Sequence, residues 1–189
     1  MPVKYARKTS ETEVSVSIGP SPGISRIETP SGFFSHMLEL LAHNSGWSLD
    51  LDAKGREGED LHHMAEDVGI ALGRALLSWY PESPRARYGW CAMPMDGSLV
   101  LFSADLSGRG GSYFKGSFPT SSCGGFDMEL IPEFFAALAR EARITIHIRI
   151  IEADNSHHTA EAVFKAAGRV LAQAMLPSQT EPSSKGIWP

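Results

Sequence analysis

Two segments carry adjacent histidines with a glutamate close behind. "LHHMAEDVGIALGRAL" contains His62, His63 and Glu66, and "SHHTAEAVFKAAGRVL" contains His157, His158 and Glu161. On a helix the glutamate lies three and four residues beyond the pair, so all three side chains gather near one helix end. Two imidazoles and a carboxylate form a partial shell for a transition metal. A single helical histidine is ordinarily packed or solvated, but recurrence of the whole triplet half a chain later argues for ligands. With His36 and His147 added, eight ligand-type side chains are available, enough for two ions. Such imidazole-rich shells suit zinc, iron or nickel by softness, whereas manganese ordinarily takes more oxygen. Adjacent histidines point in different directions around a helix, so each pair is expected to feed two metals.

The elements that must position these residues follow from periodicity. "TEVSVSI" (12–18) alternates as a half-buried strand does, "FFSHMLELLAHNSG" has apolar residues at helical spacing and ends at a glycine, and "WSLDLDAKG" alternates again. A charged loop leads into the first histidine helix, expected from about His62 to Ser78 and stopped by the proline of "YPESPRARYG". The second half repeats the order. "SLVLFSADLSG" reads as strand, a Gly/Ser-rich stretch follows, "IPEFFAALAREA" reads as helix and "RITIHIRIIE" as strand, and the second histidine helix runs to about Met175. The reading is an α+β fold of internally duplicated half-domains, residues 1–90 and 91–178, each a small sheet with two helices packed on one face. The two halves form one compact domain, and residues 179–189 are expected to be a flexible tail.

Composition narrows the partners. The chain has 189 residues, 42% hydrophobic and 21% charged, with a net charge of −5 and a pI near 5.8. That balance argues against a general nucleic-acid binder or an anionic-membrane binder, while leaving room for a local basic pocket. Two cysteines are too few for a disulfide framework, and "MPVKYARKTSETEVSV" has neither an apolar signal core nor a spanning segment, so a cytoplasmic location is expected.

Taken together, the blocks "RKTSETEVSV", "GFFSHML", "HHMAEDVGIALG", "RYGWCAMPMD", "DLSGR", "ITIHI", "HHTAEAVFKA" and "PSSKG" resemble the imidazoleglycerol-phosphate dehydratase family of histidine biosynthesis, in the family's order and over nearly the whole chain. The resemblance implies two manganese ions held by His36, His62, His63, Glu66, His147, His157, His158 and Glu161, with zinc or iron as alternatives. It implies ligands drawn from more than one subunit of a symmetric 24-subunit homo-oligomer, and a small imidazole phosphate as substrate. The departing hydroxyl lies beside a carbon whose hydrogen no carbonyl acidifies, so the ring must help. Metals on both ring nitrogens would hold it as imidazolate and let its electrons expel the hydroxyl. Glu11 is implied as the acid/base that moves protons, and Arg87, Arg109, Lys165, Ser183 and Lys185 as the groups that meet phosphate.

The family pattern breaks at several positions. The glutamine and histidine expected on the first helix are Leu40 and Asn44, with His43 one residue out of register, about 100° around the helix. Ser35 stands for the aspartate before the first metal histidine, Gly97 for the acid after Asp96, Leu61 for the residue before His62, and Met64 for the threonine after the pair. These changes spare the metal ligands and principal cations. They leave two other readings open: a divergent paralogue dehydrating a related imidazole or phosphorylated compound, and a non-catalytic metal-binding shell protein.

Overall fold

The computed structural model describes residues 2–20, 25–56, 61–80 and 84–179. The first half runs β1 (Val3–Lys8), β2 (Thr12–Gly19), β3 (Ile27–Glu28), α1 (Gly32–Ser45), β4 (Ser48–Gly55) and α2 (Leu61–Trp79). The second runs β5 (Tyr88–Met95), β6 (Ser98–Asp105), β7 (Gly111–Lys115), a small hairpin of β8 (Ser122–Cys123) and β9 (Phe126–Asp127), then α3 (Leu130–Ala142), β10 (Thr145–Glu152) and α4 (Ser156–Ala174). Two four-stranded sheets result, ordered β1-β2-β4-β3 and β5-β6-β10-β7. In each, the first three strands pair antiparallel and the last joins parallel. Identical order and sense make the internal duplication explicit.

Six strands escaped the periodicity reading: β3, β8 and β9 have only two residues each, and β1, β5 and β7 are longer. β1 (VKYARK) is an edge strand that alternates between half-buried and exposed residues, so charge masks its pattern. β7 lies in the Gly/Ser-rich stretch, and β5 runs across the expected 90/91 division. The second sheet therefore opens at Tyr88, behind an Arg87 held at φ +69°.

Helices occupy the middle and sheets the outside. α2 packs on β1 and β2, α4 on β5 and β6, and the halves meet where α2 lies along α3 and α1 along α4. Phe34, Phe126, Phe134 and Phe164 fill the space between, with Phe34 5.1 Å from Phe126 and 5.5 Å from Phe134. Close approach depends on three glycines, Gly69 and Gly73 of α2 against α3 and Gly168 of α4 against α1. A side chain at Gly168 would strike the Leu41 carbonyl of α1, and a Cβ at Gly69 would sit 2.6 Å from the Phe134 oxygen and 2.9 Å from the Ala137 Cβ of α3. In an ordinary helix interior Gly→Ala stabilises by about 1 kcal/mol. At Gly69 the overpacking cost, about 1–3 kcal/mol, reverses that sign because backbone must move. Gly69→Ala is thus expected to lower the thermal midpoint by several degrees, read by calorimetry; a raised midpoint would mean the helix pair has slack.

Candidate active site

Helix starts set the histidines. Ser31 caps α1, its hydroxyl accepting the Phe34 N–H at 3.2 Å, and Asn155 caps α4, its Oδ1 accepting the His158 N–H at 2.8 Å. With α1 laid along α4, His36 reaches Glu161. His36 Nε2 and His157 Nε2 each lie 3.2 Å from Glu161 Oε1, and the three donor atoms fall within 4.8 Å of one another. Neighbouring ligands of an ion bound at about 2.1 Å stand about 3 Å apart, so this donor set fits a divalent metal with little rearrangement. Among the described residues it is the one such group of three or more. Glu161 is 8% exposed and its other oxygen accepts from Lys165 Nζ at 2.8 Å. Burial pushes its carboxyl up, but hydrogen bonds from Lys165, His36 and His157 hold it below the usual carboxylate range. The ionised form that a metal requires is the form present.

The remaining candidates divide. His158 turns away from His157, the rings 6.1 Å apart at 81°, and places Nδ1 2.8 Å from Asn155 Nδ2 and 3.3 Å from Asp96 Oδ2. In the first half His63 Nδ1 lies 2.6 Å from Glu11 Oε2. A proton on Nδ1 shared with that carboxylate would leave Nε2 free to face a metal. The His62 ring stands 5.8 Å from that of His63 at 88°, and Glu66 accepts from Arg140 Nη2 at 3.3 Å. His147 is on the outer face of its sheet, stacked on Tyr113 at 4.7 Å, while its neighbours Ile146 and Ile148 point into the core. Strand alternation places it opposite the helices. The eight side chains thus occupy four places in one chain rather than two closed shells.

The cations are dispersed as well. Arg87 donates from Nε and Nη2 to the two Asp105 oxygens at 2.7 and 3.3 Å. Exposed Arg109 donates from Nη1 to the Ser107 carbonyl at 3.3 Å, and Lys165 is held by Glu161. Ser183 and Lys185 lie outside the described residues.

Several of the departures from the family pattern acquire local partners. Asn44 donates to the Leu40 carbonyl at 2.8 Å, Leu40 packs against the core, and Ser35 Oγ accepts the Thr29 N–H at 3.0 Å. A side chain at Gly97 would meet Asp154, its Cβ only 2.8 Å away. Sequence reasoning overlooked Asn155 and Asp96 beside His158, although an asparagine two residues ahead of the pair is an N-cap signal. It also overlooked Arg7, Thr12 and Asp67, whose contacts are long-range and leave no local mark.

Fold and site define a class: a duplicated α+β protein in which the final helix of each half presents a His-His-x-x-Glu triplet. The family model for imidazoleglycerol-phosphate dehydratase matches residues 29–171. The chain is 41% identical over 184 residues to imidazoleglycerol-phosphate dehydratases of Staphylococcus aureus strains JH9 and Newman, covering 96% of either sequence. Its structure is similar to the crystal structure of imidazoleglycerol-phosphate dehydratase from S. aureus subsp. aureus N315, with TM-score 0.86 and 38% identity over 94% of this chain and 100% of that one. It is equally similar to the Pyrococcus furiosus enzyme in complex with (S)-C348, with TM-score 0.86 and 37% identity over 96% and 99%. The chain belongs to the imidazoleglycerol-phosphate dehydratase family. The activity that membership carries is that of a lyase, a dehydratase of histidine biosynthesis.

Proposed function

We propose that this chain dehydrates imidazoleglycerol phosphate to imidazoleacetol phosphate with two manganese ions, at a site completed between subunits. The convergence of His36 and His157 on the ionised Glu161 carries the metal-dependent part. His158, His62, His63, Glu66 and a neighbour's His147 complete the two shells. When bound, the ions supply Lewis-acid polarisation of the substrate's ring nitrogens. Glu11, oriented by His63, removes and returns protons at the carbons beside the ring. Arg87 is steadied by Asp105 yet retains three of its five N–H donors, which with Arg109, Lys165, Ser183 and Lys185 meet the phosphate.

Location of His147 on the outer sheet face, between exposed Tyr113 (57%) and the Trp90 (68%) side of the sheet, supports assembly. A ligand that cannot turn inward must serve another copy, as in the 24-subunit shell the family resemblance implies. Among the described residues no helix is long and apolar enough to cross a membrane.

The deciding experiment gives imidazoleglycerol phosphate to the manganese-loaded protein and assays the acetol phosphate. Turnover is expected. Full metal content without turnover, or turnover confined to a non-phosphorylated imidazole, would overturn the assignment. Leucine at 40 has no polar group to offer the phosphate and Asn44 spends one amide N–H on the Leu40 carbonyl, and one hydrogen bond to a charged group contributes about 1.5–3 kcal/mol. Leu40→Gln with Asn44→His is therefore expected to lower KM roughly tenfold or more. An unchanged KM would show that this helix face does not meet the phosphate.

A further inference from the structure

We infer that Asp67 and Thr12 are positioning residues for Glu11, locking the turn between β1 and β2 onto α2. The inference rests on the proposed acid/base role of Glu11. Asp67 is 6% exposed, and a buried carboxylate is strongly disfavoured unless charge and hydrogen bonds meet it. Both oxygens are met: Arg7 Nε donates to Oδ1 at 2.6 Å and the Thr12 hydroxyl donates to Oδ2. Arg7 lies near the end of β1 and Thr12 begins β2, so the two partners bracket the turn that carries Glu11.

The turn itself is closed. The Thr9 N–H donates to the Thr12 carbonyl at 2.9 Å, while the Thr9 hydroxyl accepts the N–H groups of Glu11 and Thr12 at 3.2 and 3.0 Å. The Glu11 carbonyl accepts the Arg56 N–H at 2.9 Å. Both backbone polar groups of Glu11 are therefore engaged, and only its side chain is left to aim. His63 and Asp67 are one turn apart on the same face of α2. Asp67 grips the base of the turn and His63 meets its tip, 2.6 Å from the Glu11 carboxylate. A displacement of about 1 Å at a reacting group costs about 100-fold in rate, so an anchor of this kind is a determinant of kcat.

The alternative is that Asp67 only neutralises Arg7 and the turn would hold its place without it. Thr12→Val keeps the side-chain shape and removes the hydroxyl, whereas Thr12→Ser keeps the hydroxyl. In the metal-loaded protein Thr12→Val is expected to lower kcat at least tenfold with KM within twofold and metal content unchanged. Thr12→Ser should restore kcat. Amide hydrogen exchange at residues 9–12 should quicken in the valine variant and not in the serine variant. Asp67→Asn should lower kcat alike, and Asp67→Asn with Thr12→Val should fall little further, since both cut one linkage. A folded, metal-loaded Thr12→Val protein with kcat within twofold of the parent overturns the inference, as does a serine variant no better than valine. Glu11→Gln, run alongside, separates the premises: turnover there removes the acid/base role itself, whereas loss there with an active Thr12→Val removes only the positioning.

Discussion

Glu11→Gln is expected to lower kcat by about 100- to 10,000-fold, the range for losing a positioned acid/base, with metal content and thermal midpoint near the parent values. Glutamine keeps the length of the side chain and an oxygen that can face His63 Nδ1, which lies 2.6 Å from Glu11 Oε2. What it cannot do is take a proton at neutral pH. The effect is large because the reacting carbon has no adjacent carbonyl to acidify its hydrogen, so no background route substitutes for the missing base. Turnover by product assay and metal by elemental analysis are the two readouts. A kcat within tenfold of the parent would assign proton transfer to another group. Loss of metal together with turnover would make Glu11 a support for His63 instead.

Stripping the protein with a chelator is expected to reduce turnover to background and to lower the mass of the assembly, both recovering when manganese is added back. The reason lies in the geometry of the ligands. His36, His157 and Glu161 meet within one chain, but His147 stands on the outer face of the second sheet, so each ion draws on more than one subunit in the proposed site. His157→Ala and Glu161→Gln should each deplete metal, because each removes a donor from the converged trio. His62→Ala and His158→Ala test the rest of the two shells in the same way. Unchanged metal content in all four variants would reject the ligand set, and a mass indifferent to metal would reject the shared site.

Much of this architecture is legible locally. The two histidine helices, the helix from Phe33 to the Gly46 stop, and strands β2, β4, β6 and β10 carry alternation or helical spacing within a dozen residues, and the repeated triplet announced a duplicated α+β chain. Edge strands were harder, since β1 and β7 bury too little to show a pattern.

What only the tertiary structure decided is which side chains meet. His36 and Glu161 are 125 residues apart and come within 3.2 Å because α4 can lie against α1 at Gly168. His157 joins them while its neighbour His158 faces Asp96 and Asn155, a choice of helix rotation that depends on which face the core claims. Arg87 is claimed by Asp105, and Arg7 by Asp67 across 60 residues. Residue type and spacing determine which groups are available and on which face of an element they ride, because backbone periodicity is local. Their partners depend on how elements pack, which is a property of the whole core and has no signature in any single stretch of the chain.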